Sequence, residues 1–330
     1  MSIRTGVMIG AVAVTVTLGA FLMMPVGGDL SNEVSRARDD GREPFRAAAE
    51  APAAPVDLAF LHHSVGTQLL AAPGPENGQR DGVPTHPNGG GLAALLAASN
   101  YRLHEATYGS SLGEHTDLFD WLPKFRAHMP DILAIRHQDE RLPEGQRNRV
   151  VMFKSCYPNN QFVGAGSGSG SPAGPELTEA NARATMAALL EEMAKYPDTL
   201  FVYVTAPPVA PHTWSEPRWK QLAKQVLGRP THEEEFRESG AMARRFNEWV
   251  TSPDGWRRGY AGRNVTVFDL YGELTDGSPA GFSRYPSGDG TDSHPSSAGN
   301  ARVAPMLVSF LNAAVRQFET ATAPSGPPTL

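Results

Sequence analysis

The segment Val56-Asp-Leu-Ala-Phe-Leu-His-His-Ser64-Val-Gly66 decides how the chain is read. Val56 to Leu61 is a short apolar run of the kind that forms a strand buried on both faces of a parallel sheet. Polarity then changes abruptly to two imidazoles and a hydroxyl. Parallel sheets place ligands just outside the carboxyl ends of their strands, so His62, His63 and Ser64 stand where chemistry is expected. Outward from this segment, four more strands are predicted, at Tyr101 to Tyr108, Val150 to Phe153, Leu200 to Thr205 and Val265 to Leu270. Helical spacing separates them. Leu92, Leu95 and Leu96 form one such stripe, and Met186, Leu189, Leu190 and Met193 recur at i, i+3, i+4 and i+7 behind a capping Thr178. Met242, Phe246, Trp249 and Val250 mark another helix, and Met306, Leu307, Phe310, Leu311 and Val315 a last one, with Pro305 tolerable in its first turn. The alternation predicts an α/β fold whose five-stranded parallel sheet is covered by helices on both faces. No internal repeat is detectable.

The strand ends supply a short set of candidates. They are His62-His63-Ser64, Gly109-Ser-Ser-Leu-Gly113, Ser155-Cys-Tyr-Pro-Asn159-Asn160, Ala206-Pro-Pro208 and Tyr271-Gly272. A serine that attacks an acyl carbon near neutral pH needs an adjacent base, and that base needs an orienting partner. For Ser64 the base candidate is His294, in Gly288-Asp-Gly-Thr-Asp292-Ser-His294-Pro295 ahead of the last helix. Attack also needs donors aimed at the developing oxyanion. Gly113 offers an unobstructed backbone N–H, and Asn159 or Asn160 a side-chain amide.

This order of parts resembles the SGNH (GDSL-like) hydrolase superfamily: a strand-end serine near the N-terminus, a glycine after the second strand, an asparagine after the third, and a histidine-proline before the final helix. The resemblance runs from about Val56 to Phe318. It implies a flavodoxin-like three-layer α/β/α sandwich and hydrolysis of esters on lipids, carbohydrates or small molecules, without metal or cofactor. By position, Ser64 matches the family nucleophile, Gly113 the second block, Asn160 or Asn159 the third, and His294 the base. The Thr205-Ala-Pro-Pro208 strand end and the Arg245-Phe-Asn-Glu-Trp249 helix are also similar to the family. The first block departs from Gly-Asp-Ser-Leu, and the third reads Lys-Ser-Cys-Tyr-Pro-Asn-Asn in place of Gly-x-Asn-Asp. The family acid usually precedes the histidine by three residues, where this chain has Thr291. Asp292 and Asp289 are the candidates, with Asp292 preferred.

Other residues carry plainer readings. His62 and His63 are expected to pack behind the serine rather than bind metal, since no other histidine lies at metal-motif spacing. Lys154 either hydrogen-bonds within the site or reaches solvent from an edge strand. Cys156 is read as a small buried hydrophobe, Glu233 to Glu235 as a solvated helix start, and Asn159 or Asn160 as a turn former if not a donor. The expected activity is a serine esterase acting on O-acyl esters, short-chain or acetyl, plausibly on extracytoplasmic glycan. An O-acyltransferase using the same serine and a non-catalytic glycan-binding module with this fold are the alternatives.

The 330 residues carry a net charge of -6 with one cysteine. That balance argues against a nucleic-acid partner, and Cys156 alone forms no intrachain disulfide or cysteine-based metal cluster. Gly6 to Val26 is free of charge and long enough to cross a hydrocarbon core of roughly 30 Å. It is read as a membrane anchor, with a cleaved signal peptide as the alternative and Ala47 to Ala49 a small-x-small site. Arg36, Arg38, Arg42 and Arg46 outnumber Arg4, which by the positive-inside rule would keep the C-terminal side inside. Export is nonetheless favoured, as the usual arrangement for an apolar segment before one globular domain. The expected organisation is an anchor or signal at 1–26, an Ala/Pro-rich linker at 27–55, the hydrolase domain at 56–319 with a loose Gly164 to Pro175 loop, and a disordered tail at 320–330.

Overall fold

The computed structural model of the protein describes residues 50–211 and 217–322. The expected anchor, most of the linker and all but the start of the tail lie outside those residues. Within them no helix is long and apolar enough to cross a membrane. The five predicted strands form: β1 (Val56–Leu61), β2 (Tyr101–Ala106), β5 (Val150–Lys154), β6 (Leu200–Val204) and β7 (Val265–Phe268). All five pair in parallel. Two short strands that the sequence reading missed, β3 (Ile135–His137) and β4 (Glu140–Arg141), extend the sheet beyond β2. The sheet therefore has seven strands, not five, and β4 runs antiparallel. Ile-Arg-His and Glu-Arg carry no apolar run, because four of these five β3 and β4 positions are not buried.

The spatial order is β7-β6-β5-β1-β2-β3-β4. Among the five long strands this is fifth-fourth-third-first-second, the order of a flavodoxin-like doubly wound sheet. Alternation along each strand divides the core in two. Ala59, Leu61, Val151, Phe153, Phe201 and Tyr203 face helices α3 (Trp121–Leu133), α4 (Glu179–Met193) and α6 (His232–Thr251). Leu58, Phe60, Val150, Met152, Val202 and Val204 face α1 (Ser64–Leu70), α2 (Leu92–Ala98) and α8 (Ser297–Thr322). The result is a three-layer α/β/α arrangement. Helix α3 carries Trp121, Phe125, Met129 and Ile132 on its buried face. A break at His128, just before Pro130, interrupts it and hides the helix from a periodicity search.

A doubly wound sheet opens a crevice where its connections change direction. Here that point lies between β1 and β5, at the edge reached by Ser64 and by Ser155-Cys156. Helix α7 (Leu270–Leu274) follows β7, and α5 (Arg218–Val226) lies between β6 and α6. A two-stranded antiparallel hairpin, Pro286–Ser287 with Asp292–Pro295, comes immediately before α8.

Candidate active site

The chain leaves β1 at Leu61 and enters α1 at Ser64 within two residues. This turn is tight because α1 packs directly over His62: a Cβ on Gly66 would stand 2.4 Å from the His62 ring, so residue 66 must be glycine. His62 is fully buried, tilted against Phe60 with ring centroids 4.4 Å apart. Its Nε2 lies 3.5 Å from Glu105 Oε2, a charge contact too long and ill-aligned to satisfy the nitrogen fully. The same histidine holds the Glu105 carboxyl below its ordinary value, against the opposing effect of burial. His63 turns the other way. Its Nε2 donates to Gly113 O at 2.7 Å and its ring stacks on Tyr108 at 3.9 Å. Burial keeps His63 below the usual imidazole value, against the opposing effect of its bond to Gly113 O. Both histidines thus pack behind the serine. Among the described residues no group of three or more His, Cys, Asp or Glu is placed to hold a metal ion.

The structure brings Ser64, His294 and Asp292 together. Ser64 Oγ lies 3.0 Å from His294 Nε2, and His294 Nδ1 lies 2.7 Å from Asp292 Oδ1. The same carboxylate oxygen accepts the His294 backbone N–H at 3.0 Å. The two-residue spacing works because 292–295 is a strand, and residues two apart on a strand share a face. Ser293 points to the opposite face, buried, where its Oγ accepts the Ala210 N–H at 3.0 Å. Asp289 serves the turn instead, accepting from the Thr291 N–H and hydroxyl at 3.1 and 2.6 Å. Tyr157 meets the His294 ring edge to face, 5.2 Å between centroids.

Of the three expected oxyanion donors, none has a donor to spare in this structure. The Gly113 N–H donates to Ser110 Oγ at 3.1 Å. What Gly113 offers the site is its carbonyl, which holds His63, and its lack of a Cβ, which would otherwise sit 2.1 Å from Thr107 O. The Asn159 amide donates to Asp117 Oδ1 and Cys156 O at 2.8 and 3.2 Å, and its oxygen takes the Leu118 N–H at 2.6 Å. The Asn160 amide donates to Ala206 O and Pro207 O, both at 2.9 Å, and accepts from Asn247 Nδ2 at 2.8 Å. Both side chains are buried and fix loops. By contrast the Ser64 N–H has only the Tyr108 hydroxyl, at 3.5 Å, the limit of a hydrogen bond, which leaves it open to a better acceptor.

Behind Ser64 lies a second polar pair. Lys154 belongs to β5, between β1 and β6, so it is no edge-strand lysine; it is fully buried. Its Nζ lies 3.6 Å from Cys156 Sγ, and that sulfur lies 3.6 Å from Ser64 Oγ. Burial draws the Lys154 amine well below its ordinary value. Burial raises the Cys156 thiol, while a Lys154 ammonium, the Val65 amide and the Ser64 hydroxyl lower it, with the lowering effects prevailing. No solvent reaches Lys154 Nζ, so the neutral amine fits its burial better, and the thiol then has no charged partner beside it. In that form the S–H can donate to Ser64 Oγ while Ser64 donates to His294. Cys156 is therefore more than a small hydrophobe.

Two further residues escaped the sequence reading. Ser110, whose Oγ donates to Asp139 Oδ1 at 2.9 Å, organises the Gly109–Gly113 turn. Lys124 projects from the apolar stripe of α3 to donate to Leu112 O and Glu114 O at 2.7 and 2.5 Å, over the Trp121 ring. Burial draws it down to about 8. A lysine between Trp121 and Phe125 was the one available signal.

No protein-family model matches the chain, and no curated protein matches it. Solved structures similar to it include a carbohydrate esterase family 2 enzyme with a carbohydrate-binding domain from Corynascus thermopiles (Myceliophthora fergusii), at 15% identity over 81% of this chain and 68% of that one, TM-score 0.38. A GDSL-like lipase from Bacteroides thetaiotaomicron matches at 11% identity over 80% and 88%, TM-score 0.37. A family two carbohydrate esterase from Cellvibrio japonicus matches at 14% over 80% and 63%, TM-score 0.32. Likeness at this level carries no argument about the reaction, which rests on the site itself.

Proposed function

We propose that the protein is a metal-independent serine esterase in which Ser64 is the nucleophile, His294 the general base and Asp292 the residue that orients it. The observation that carries this reading is the run of contacts from Ser64 Oγ to His294 Nε2 at 3.0 Å and from Nδ1 to Asp292 at 2.7 Å. Ser64 Oγ attacks the acyl carbon as its proton passes to Nε2. Asp292 accepts the Nδ1–H and stabilises the imidazolium. The carbonyl oxygen, now negative, takes the Ser64 N–H and the hydroxyl of Tyr108, which is half exposed beside it. His294 then returns the proton to the departing alkoxide, leaving an acyl-serine. A water, deprotonated by His294, attacks that ester; the acid leaves and Ser64 regains its proton.

The substrate is read as a short O-acyl ester, acetyl in the simplest case, carried on a glycan. The acyl part follows from the motif resemblance. For the sugar, the physical support is the pair of tyrosines, Tyr108 against His63 and Tyr157 against His294, which flank the reacting atoms with amphipathic rings. A fluorophosphonate probe tests the core of the reading. Peptide mass spectrometry should find the adduct on Ser64 in wild type and no adduct in Ser64→Ala. Wild-type protein that resists the probe and turns over no aryl or sugar acetate would refute it.

A further inference from the structure

Helix α5, Arg218-Trp-Lys-Gln-Leu-Ala-Lys-Gln-Val226, is amphipathic with its polarity reversed. Trp219, Leu222 and Val226 fall at i, i+3 and i+7 on one face, and that face points outward: they are 69%, 63% and 79% exposed. Gln221 and Lys224, on the opposite side, are the residues partly covered by the rest of the chain, and Lys224 Nζ lies 3.8 Å from Glu235 of α6. No residue of α5 is buried. Leu227, 70% exposed, continues the apolar face, so this stretch holds four of the seven large apolar side chains exposed in the described residues. A solvated apolar cluster of this kind marks an interaction surface.

Charge indicates what covers it. Between Pro217 and Pro230 the chain has Arg218, Lys220, Lys224 and Arg229 and no acidic residue, although the protein as a whole carries -6. Trp, Leu and Val flanked by cations is the composition of a helix that lies in a lipid interface. A second copy fits poorly. Symmetric pairing would set Arg218, Lys220 and Arg229 against their own images, and nine residues of helix fall short of the roughly 800 Å² per partner that a stable interface needs.

Position gives the surface a purpose. Helix α5 follows β6, whose carboxyl end lies on the same sheet edge as Ser64, and leads into α6. There Phe236 packs with Val209 and Phe282 in a small cluster that Tyr157 joins, and Tyr157 in turn meets His294. We infer that α5 is an interfacial helix that docks the protein on an anionic lipid bilayer, with the Ser64 edge turned toward the membrane. The docking inference stands on α5 alone and holds whether or not Ser64 is a nucleophile.

The test is amide hydrogen exchange on the full chain, reconstituted into vesicles of phosphatidylcholine alone or of phosphatidylcholine with phosphatidylglycerol. Both carry any membrane-inserted segment equally and differ only in headgroup charge. Exchange across 218–227 should slow by about tenfold or more on the anionic vesicles, since each cation near such a surface contributes about a factor of five. The slowing should be lost in high salt and in Leu222→Glu, while exchange in the β-sheet of that variant stays as in wild type and certifies its fold. Equal exchange on the two vesicles overturns the inference. So does protection that ignores lipid charge and grows with protein density, which would assign the face to a second copy.

Discussion

Four loops meet at the carboxyl edge of the sheet, and they divide into two kinds. The loops after β2 and β5 hold Gly113, Asn159 and Asn160, each buried and with its donors taken. The β1–α1 turn and the hairpin before α8 hold Ser64, His294 and Asp292, whose side chains bond one another, with Cys156 Sγ a further contact of Ser64 Oγ; the His294 side chain is 21% exposed and that of Asp292 48%. Residues singled out together by one resemblance thus stand in two different bonding environments. A polar group enclosed by complete hydrogen bonding is a strut, whereas chemistry requires an atom whose bonding is incomplete until substrate arrives. Position along the chain does not separate these cases, and partner geometry does.

The largest effect belongs to the open pair. Ser64→Ala, His294→Ala and the double variant should each lose roughly 10⁴–10⁶-fold in kcat on an aryl ester, to nearly the same floor, because residues acting as a unit fail together. Full additivity in the double variant would break the comparison from its active side. Asp292→Asn should cost less, as Nδ1 can still be oriented by an amide oxygen. A loss equal to that of Ser64→Ala would instead make the carboxylate charge indispensable.

The struts respond differently. Asn160→Ala leaves Ala206 O, Pro207 O and the Asn247 amide without their partner. Unfolding titrations should show a loss on the order of 1–3 kcal/mol, with kcat per folded molecule little changed. A fall in kcat of about 10²–10³-fold at unchanged stability would return Asn160 to the oxyanion site.

The smallest expected effect lies in pH. Lys124 is held at about 8 in the folded protein, below the 10.5 of a free lysine. Between those values the unfolded chain binds more protons than the folded one, so this group's contribution makes stability rise with pH from about 8 to about 10.5. Below about 8 the slope from this group vanishes. Subtracting the stability profile of Lys124→Met from that of wild type isolates it, and a difference flat over that window would show that Lys124 is not desolvated as its burial implies.

Much of this was legible in the residues, for a definite reason. Four of the five long strands are largely apolar runs because both faces are covered, whereas β2 is partly exposed and weaker in pattern, and Ser64 and His294 stand at the strand end and pre-helix positions where a doubly wound sheet gathers its loops. What was not legible depended on partners distant in sequence. Strands β3 and β4 are short and mostly solvated, so they lack an apolar signature. Helix α3 is broken at His128 before Pro130. Asn159 and Asn160 read as donors because an asparagine's type reveals its capacity to donate, while Asp117 and Ala206, which use that capacity, lie 42 and 46 residues away.

The hairpin carrying His294 has a consequence for how the site is lost. Ser64 sits at the end of β1, paired on both sides within the sheet. His294 rides on two short strands with a register shift between Pro286 and Ser287, tied to the body by the Ala210–Ser293 bond and by Asn88 Nδ2 to Ser287 Oγ at 2.7 Å. Isolated two-stranded ribbons are marginal in water, and segments with few ties open at a lower free energy than the core. Local melting of 286–295 therefore separates His294 from Ser64 while the sheet stays intact. Heat inactivation should be governed by this ribbon rather than by global unfolding, making Ser287 and Ser293, which touch no substrate, the positions that set the temperature at which the hydroxyl and imidazole part.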